Sequence, residues 1–272
     1  MQSATAVATN TQPVNPNKAL WEKGDFTRIA ETMRESGEPL VDTLGITPGM
    51  RVLDLGCGDG TTAVPAARRG AQVLGVDIAA NLVAAGNARA KAAGLDNLRF
   101  EEGDASNLEG IADDSFDLVV SIFGAMFAPR PDEVAKEMVR VARPGGRIVM
   151  GNWIPGDPTL VAQILKISSS YSPPPPEGFV SPMTWGVESH VRERFGAGLR
   201  WITPLSYREW FGARGVRAVT ELDWWEQTEV AGSGGSSVRV TCAPAQHWTR
   251  APVSDREAGC KERVPARGMW IR

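Results

Sequence analysis

The run Val52-Leu53-Asp54-Leu55-Gly56-Cys57-Gly58-Asp59-Gly60-Thr61 constrains the fold more than any other stretch of the chain. Its apolar residues read as a short strand, Arg51–Leu55, and the three alternate glycines as a sharp turn. The alanine-rich Thr61–Arg69 reads as a helix, in which Pro65 is acceptable only within the first turn. Glycine is required at such a turn because the backbone bends abruptly and because a side chain would collide with a ligand lying against it. The start of the following helix presents free amides to the same place. A dinucleotide site is a rival, but its fingerprint is G-x-G-x-x-G, whereas this run is G-x-G-x-G. The difference is physical. The dinucleotide motif seats a pyrophosphate, which an acidic residue beside the glycines would repel, while a cationic amine would suit it.

Strands and helices then alternate. Gln72–Val76 reads as a second strand, Asn97–Phe100 as a third, Phe116–Ile122 as a fourth and Arg147–Met150 as a fifth, the last after a turn at Pro144-Gly145-Gly146. Helices are expected at Lys18–Leu44, Asn81–Ala93, Pro131–Ala142, Thr159–Ser170 and Gly186–Phe195. In Pro131–Ala142 the residues Val134, Met138 and Val141 recur at i, i+4 and i+7, so one face is buried. Such alternation predicts a doubly wound α/β fold with a parallel sheet covered on both faces, its ligand crevice at the carboxyl ends of the strands.

Three function classes are disfavoured by composition. With 29 Lys+Arg against 32 Asp+Glu, the net charge of −3 gives no basic field for nucleic acid or anionic membrane. Cys57, Cys242 and Cys260 show neither a zinc spacing nor a disulfide framework, and two histidines, His190 and His247, do not build a metal centre. No stretch approaches 18 consecutive apolar residues, so a cytoplasmic enzyme is the expectation.

Two further acidic positions fall at strand ends. Asp77, in Val76-Asp77-Ile78, closes the second strand, where a carboxylate can accept hydrogen bonds from vicinal ribose hydroxyls. Nicotinamide-binding folds share that preference. Asp104 follows the third strand in Glu102-Gly103-Asp104-Ala105 and can hold an adenine amino group or serve as a turn residue.

The segment from about Trp21 to Phe195 resembles the class I S-adenosylmethionine-dependent methyltransferases. The resemblance rests on LDLGCGDG (Leu53–Gly60), GVDI (Gly75–Ile78), EGDA (Glu102–Ala105), FDLVVSIFG (Phe116–Gly124) and RPGGRIVMGNW (Arg143–Trp153). It implies a Rossmann-like sheet, S-adenosyl-L-methionine as cofactor and a small-molecule methyl acceptor. It further implies Gly56 and Gly58 against the cofactor's aminoacyl part, with Asp54 supporting the loop. Asp77 would take the ribose hydroxyls and Ile78 pack on the adenine. Asp104 and Ala105 would meet the adenine edge, and Ser121 would lie near the methionine end. Trp21–Arg28 resembles the family's leading helix, which covers the cofactor. Phe123, Met126, Phe127, Asn152 and Trp153 are candidates to line the acceptor pocket. No catalytic residue and no metal ligand is assigned. A cofactor-binding protein without turnover and a nicotinamide-dependent oxidoreductase remain as alternatives.

Residues 1–17 lack periodicity and are expected to form a flexible arm, with the methyltransferase domain at 18–198. Beyond Leu199 the texture changes. Residues 199–272 carry 11 Lys+Arg and 8 Asp+Glu, against 18 and 24 before them, and hold six of the nine tryptophans. Pro204-Leu205, Glu209-Trp210-Phe211, Val219–Trp225 and Ala243–Trp248 make residues 199–250 resemble a fragment of the N-acyl-phosphatidylethanolamine phospholipase D type, of metallo-β-lactamase fold. The resemblance makes His247 a ligand position, but the H-x-H-x-D-H run is absent, so no hydrolase activity is implied. Residues 251–272 match neither family and are expected to be disordered. The family's closing antiparallel strands are therefore expected to be atypical or replaced. In that case Val216–Glu229 pairs with Ser237–Cys242 across Gly232–Gly235, or else the fifth strand is left with an open edge.

Overall fold

A computed structural model describes residue 15 and residues 17–156, 160–175, 177–196, 199–205 and 223–230. Its elements run α1 (Asn17–Trp21), α2 (Thr27–Thr43), β1 (Arg51–Leu55), α3 (Ala63–Arg68), β2 (Gln72–Asp77), α4 (Ala80–Ala92), β3 (Leu98–Glu102) and β4 (Phe116–Ile122). They continue with α5 (Pro131–Val141), β5 (Ala142–Asn152), α6 (Leu160–Ser170), α7 (Glu188–Phe195), β6 (Leu199–Leu205) and β7 (Asp223–Val230). One sheet holds all seven strands in the order β3-β2-β1-β4-β5-β7-β6. The first five are parallel, and β7 pairs antiparallel with both β5 and β6.

The apolar strands are buried on both faces, as a parallel sheet demands. On one face, Val52, Val73, Leu118 and Val120 pack with Leu40 and Val41 of α2, Ala63, Val64 and Ala67 of α3, and Ala90 of α4. On the other, Leu53, Leu55, Val119 and Met150 pack with Val134 and Met138 of α5, Val191 and Phe195 of α7, and Trp185. Helix α5 begins on Pro131, with Asp132 and Glu133 in its first turn, where the helix dipole favours negative charge. Because α3 and α4 cover one face and α5 the other, the chain reverses its direction of winding between β1 and β4. A crevice opens there at the carboxyl ends.

Three expectations are corrected. The single helix at Lys18–Leu44 is two helices, broken at residues 22–26. Gly24 is a poor helix former, and the Asp25 carboxylate accepts a hydrogen bond from the Thr27 hydroxyl, which favours a turn over a continuous helix. Pro144-Gly145-Gly146 does not precede β5 but bulges within it, between the rungs Phe116↔Ala142 and Leu118↔Arg147. Gly145, at φ +82°, supplies the left-handed turn. Finally, β7 finds its partner upstream. It pairs with β6, Trp201 beside Thr228 and Leu205 beside Trp224, and it covers β5, so the fifth strand has no open edge. Ser237–Cys242, the partner expected from the sequence, lies outside the described residues. Pro65 stands in the first turn of α3, as the sequence required.

Candidate functional site

The glycine turn after β1 is pinned from three sides. The Gly56 and Cys57 amides both donate to the Val76 carbonyl, at 2.7 and 3.2 Å. The Gly58 amide donates to Asp77 Oδ2 at 2.8 Å, while Asp77 Oδ1 accepts from the Ala79 amide at 2.9 Å. Gly56 lies at φ +69°, and a Cβ there would stand 2.6 Å from the Gly124 Cα. Gly58 lies at φ +55°, with no atom within 4 Å of the place its Cβ would take. One glycine is needed for close packing, the other to leave space.

That space belongs to a cleft of about 620 Å³, counting its open mouth. Gly56, Gly58, Asp77, Ile78, Asp104 and Ala105 all line it. Asp104 Oδ1 accepts from the Ser106 amide and hydroxyl at 2.8 and 2.7 Å, and its Oδ2 accepts from Asn15 Nδ2 at 3.1 Å. Arg130 Nη2 approaches the same oxygen at 3.8 Å.

Two expected site residues lie behind the wall. Ser121 is buried, and its hydroxyl accepts the Ala125 amide at 2.9 Å, shaping the turn after β4. Asp54 is also buried. Its carboxylate takes the Ala63 amide, but Oδ2 has no hydrogen-bond partner. Burial, with a smaller contribution from the Asp77 charge, pushes the Asp54 carboxyl up to about 7. Asp77 is raised in the same direction by burial, opposed by the amides of Ala79, Gly58 and Ile78. A folded-state value above the unfolded one means that the native protein holds the proton more tightly. The stabilisation is complete below about pH 4 and is lost as pH rises through 7, at about 1.4 kcal/mol per pH unit for one such group. Asp54→Asn, neutral at every pH, is expected to flatten that slope between pH 5 and 8. Melting temperatures across the range check this; an unchanged slope would refute it.

Apart from the cover expected of Trp21–Arg28, several contributors were not marked in the sequence. Gly124 is the counterpart of Gly56: its own Cβ would meet the Gly56 carbonyl oxygen at 2.2 Å. Nothing local marks it as a contact. The segment around α1 crosses the cleft as a strap. Asn17 Nδ2 donates to the Phe127 carbonyl at 2.6 Å, Glu22 Oε1 accepts the Ala80 amide at 3.1 Å, and Lys18 forms an ion pair with Glu102. Of the supposedly loose arm, both described members, Asn15 and Asn17, are thus held. Trp21 packs its ring against Phe26 and Phe127 at centroid distances of 5.4 and 5.1 Å. Asp59, inside the glycine turn, is buried between Arg34 and Arg89.

Of the acceptor candidates, Phe123 and Phe127 line the cleft, whereas Met126 is core. His190 is exposed on α7. Among the described residues, no group of three or more His, Cys, Asp or Glu could hold a metal ion, and no helix is long and apolar enough to cross a membrane.

The profile of the family described as Methyltransferase domain matches residues 53–150. An uncharacterized protein of Mycobacterium tuberculosis is 38% identical over 208 residues, which make up 76% of this chain and 72% of that protein. Methyltransferase GfsG of Streptomyces halstedii is 38% identical over 141 residues, 51% of this chain and 50% of its own. The solved magnesium protoporphyrin IX methyltransferase of Synechocystis, with S-adenosylhomocysteine bound, superposes with a TM-score of 0.54 at 20% identity. It covers 75% of this chain and 87% of that one, and at such identity it shows the fold. Relatives, profile and parallel sheet agree, and the chain belongs to the class I S-adenosylmethionine-dependent methyltransferases.

Proposed function

We propose that the enzyme transfers the methyl group of S-adenosylmethionine to a small, partly apolar acceptor that lies beside Phe123 and Phe127. The cofactor supplies a methyl group on a sulfonium centre, which leaves as a neutral thioether when a nucleophile attacks in line. Positioning and the exclusion of water can therefore supply most of the acceleration. The residues fit this cofactor. Gly58 leaves open the volume that any side chain would fill. The Asp77 carboxylate accepts backbone amides through both oxygens and keeps acceptor capacity for a ribose hydroxyl. Ile78 offers an apolar surface to the adenine, beside Ala105. Asp104 Oδ2 accepts an amide N–H from Asn15, the kind of donor an adenine amino group presents. Asp54 and Ser121 act one step removed, through the conformation of the two loops.

The convergence of Gly58, Asp77 and Asp104 on a single cleft carries this reading. Titration calorimetry with S-adenosylhomocysteine tests it, with binding expected at micromolar concentration and none for NAD or NADH. Absence of S-adenosylhomocysteine binding would overturn it. A labelled methyl group is then expected to appear in a metabolite pool; binding without any transfer would mean a protein without turnover.

We further propose that residues 18–198 form the methyltransferase domain and that residues 199–250 have the separate ancestry their composition indicates, with 251–272 as a tail. The described strands β6 and β7 complete the sheet whichever their origin. A cytoplasmic setting is supported by the free, buried thiol of Cys57, which suits a reducing compartment.

A further inference from the structure

Five aromatic rings from three separate parts of the chain form a continuous series, of which Trp21, Phe26, Phe123 and Phe127 line the cleft and Trp153 packs against the last two. Phe26 meets Trp21, Trp21 meets Phe127 and Phe127 meets Trp153, each edge to face, at 5.4, 5.1 and 5.4 Å. Trp153 then stacks on Phe123 at 5.7 Å, with 29° between the planes. Phe123 holds this place at a cost, since its φ of +54° is a left-handed conformation that L side chains rarely adopt. Its amide is tied to the Gly151 carbonyl at 2.9 Å, and the neighbouring Gly124 is locked against Gly56. Strain kept by such bracing is typical of functional positions.

Beside this stack stands an unexplained polar group. Asn152, at the end of β5, is only 1% exposed, yet neither its Oδ1 nor its Nδ2 has a hydrogen-bond partner. The pairing of β4 with β5 ends at the rung Ile122↔Gly151, and Asn152 and Phe123 are the residues that directly follow it in the chain, with Trp153 next to Asn152 in sequence. A buried carboxamide with donor and acceptor both unused is costly unless something else satisfies it.

Resting on the methyltransferase reading above, we infer that the acceptor is a planar, ring-bearing molecule with a hydroxyl or carbonyl group, stacked on the Phe123–Trp153 pair, and that Asn152 reads that polar group. A carboxamide both donates and accepts, so it matches a hydroxyl in either sense and a carbonyl through its N–H. Flat rings gain from offset or edge-to-face contact with such a wall beyond their burial alone. A saturated ring of the same size does not.

The test uses the full chain loaded with S-adenosylhomocysteine and reads tryptophan fluorescence during titration with 2-naphthol, naphthalene and decahydro-2-naphthol. The parent protein is expected to bind 2-naphthol about 10-fold more tightly than naphthalene, the size of one net hydrogen bond, and decahydro-2-naphthol more weakly than either aromatic. Asn152→Leu, near in volume and free of unmet polar groups, is expected to abolish the 2-naphthol preference while keeping the affinities for naphthalene and S-adenosylhomocysteine. Phe123→Gly, which relieves the left-handed strain as it deletes the ring, is expected to weaken both aromatic probes. It keeps the question decidable if Asn152→Leu fails to fold. A preference for 2-naphthol that survives in Asn152→Leu would overturn the role of Asn152. Failure of both aromatic probes to bind a complex that does hold S-adenosylhomocysteine would overturn the acceptor class and leave the methyltransferase reading standing. If S-adenosylhomocysteine itself fails to bind, that reading falls and the acceptor class with it.

Discussion

Asp77→Ala is expected to raise the Kd for S-adenosylhomocysteine roughly 100- to 1,000-fold, by removing two hydrogen bonds to a charged group at about 1.5–2 kcal/mol each. Part of the loss is direct, through the lone pairs proposed for the ribose. The rest is indirect, because the same carboxylate holds the amides of Gly58 and Ala79 and so fixes both the glycine turn and the start of α4. Asp77→Asn separates the two. Its single carbonyl oxygen can hold one amide only, so an intermediate loss is expected, of about 10-fold for one neutral hydrogen bond. Calorimetry on both variants, with circular dichroism to confirm folding, decides the matter. A change below threefold in a folded Asp77→Ala protein would refute the assignment of this residue.

Asp59→Ala is expected to have the largest effect on stability, about 2–4 kcal/mol. The Asp59 carboxylate is buried in the turn and meets Arg34 of α2 through Oδ2, while Oδ1 lies 3.1 Å from Arg89 Nη1 of α4, out of hydrogen-bond alignment. Arg89 also donates to the Asp59 carbonyl oxygen. Removing the carboxylate leaves two guanidinium groups facing one another with no counter-charge. Breaking a fully buried pair costs about 3–5 kcal/mol, and the lower figure applies because Arg34 and Arg89 keep 33% and 25% of their side-chain surface in water. Urea denaturation measures the loss, and a value under 1 kcal/mol would show that the two arginines are solvated well enough to do without Asp59. Asp59→Asn, which preserves shape and one acceptor, is expected to lose about half as much.

Much of the parallel half of the fold was legible. The strands Arg51–Leu55 and Phe116–Ile122 stand where the apolar runs put them, and Asp77, which ends β2, and Asp104, two residues past β3, reach the same cleft as the glycine turn because both strands end at the same edge. The less legible parts share a cause. Period and turn chemistry are local signals, so they marked Gly56 and Gly58 but not Gly124, whose importance is a backbone contact with a residue 68 positions earlier. The family resemblance implied Ser121 near the methionine end. What no local signal gave is that its hydroxyl accepts the Ala125 amide four residues on, a contact that depends on how the chain turns after the strand. The pairing of β7 with β6 was missed because an isolated run with strand character does not say which other run it will meet.

The sequence by itself determined the alternation of strands and helices, the glycine turn that opens it and the acidic residues that close successive strands. Each of these depends on neighbours within about ten residues and on the conformational limits of the backbone. Only the tertiary structure decided what meets across the cleft: Gly124 against Gly56, Asn15 against Asp104, Asp59 between two helices, and Phe123 stacked on Trp153 beside the unpaired Asn152. Such contacts follow from packing two buried faces around one sheet, where the fit of distant side chains, and not the preference of any one segment, selects the partner.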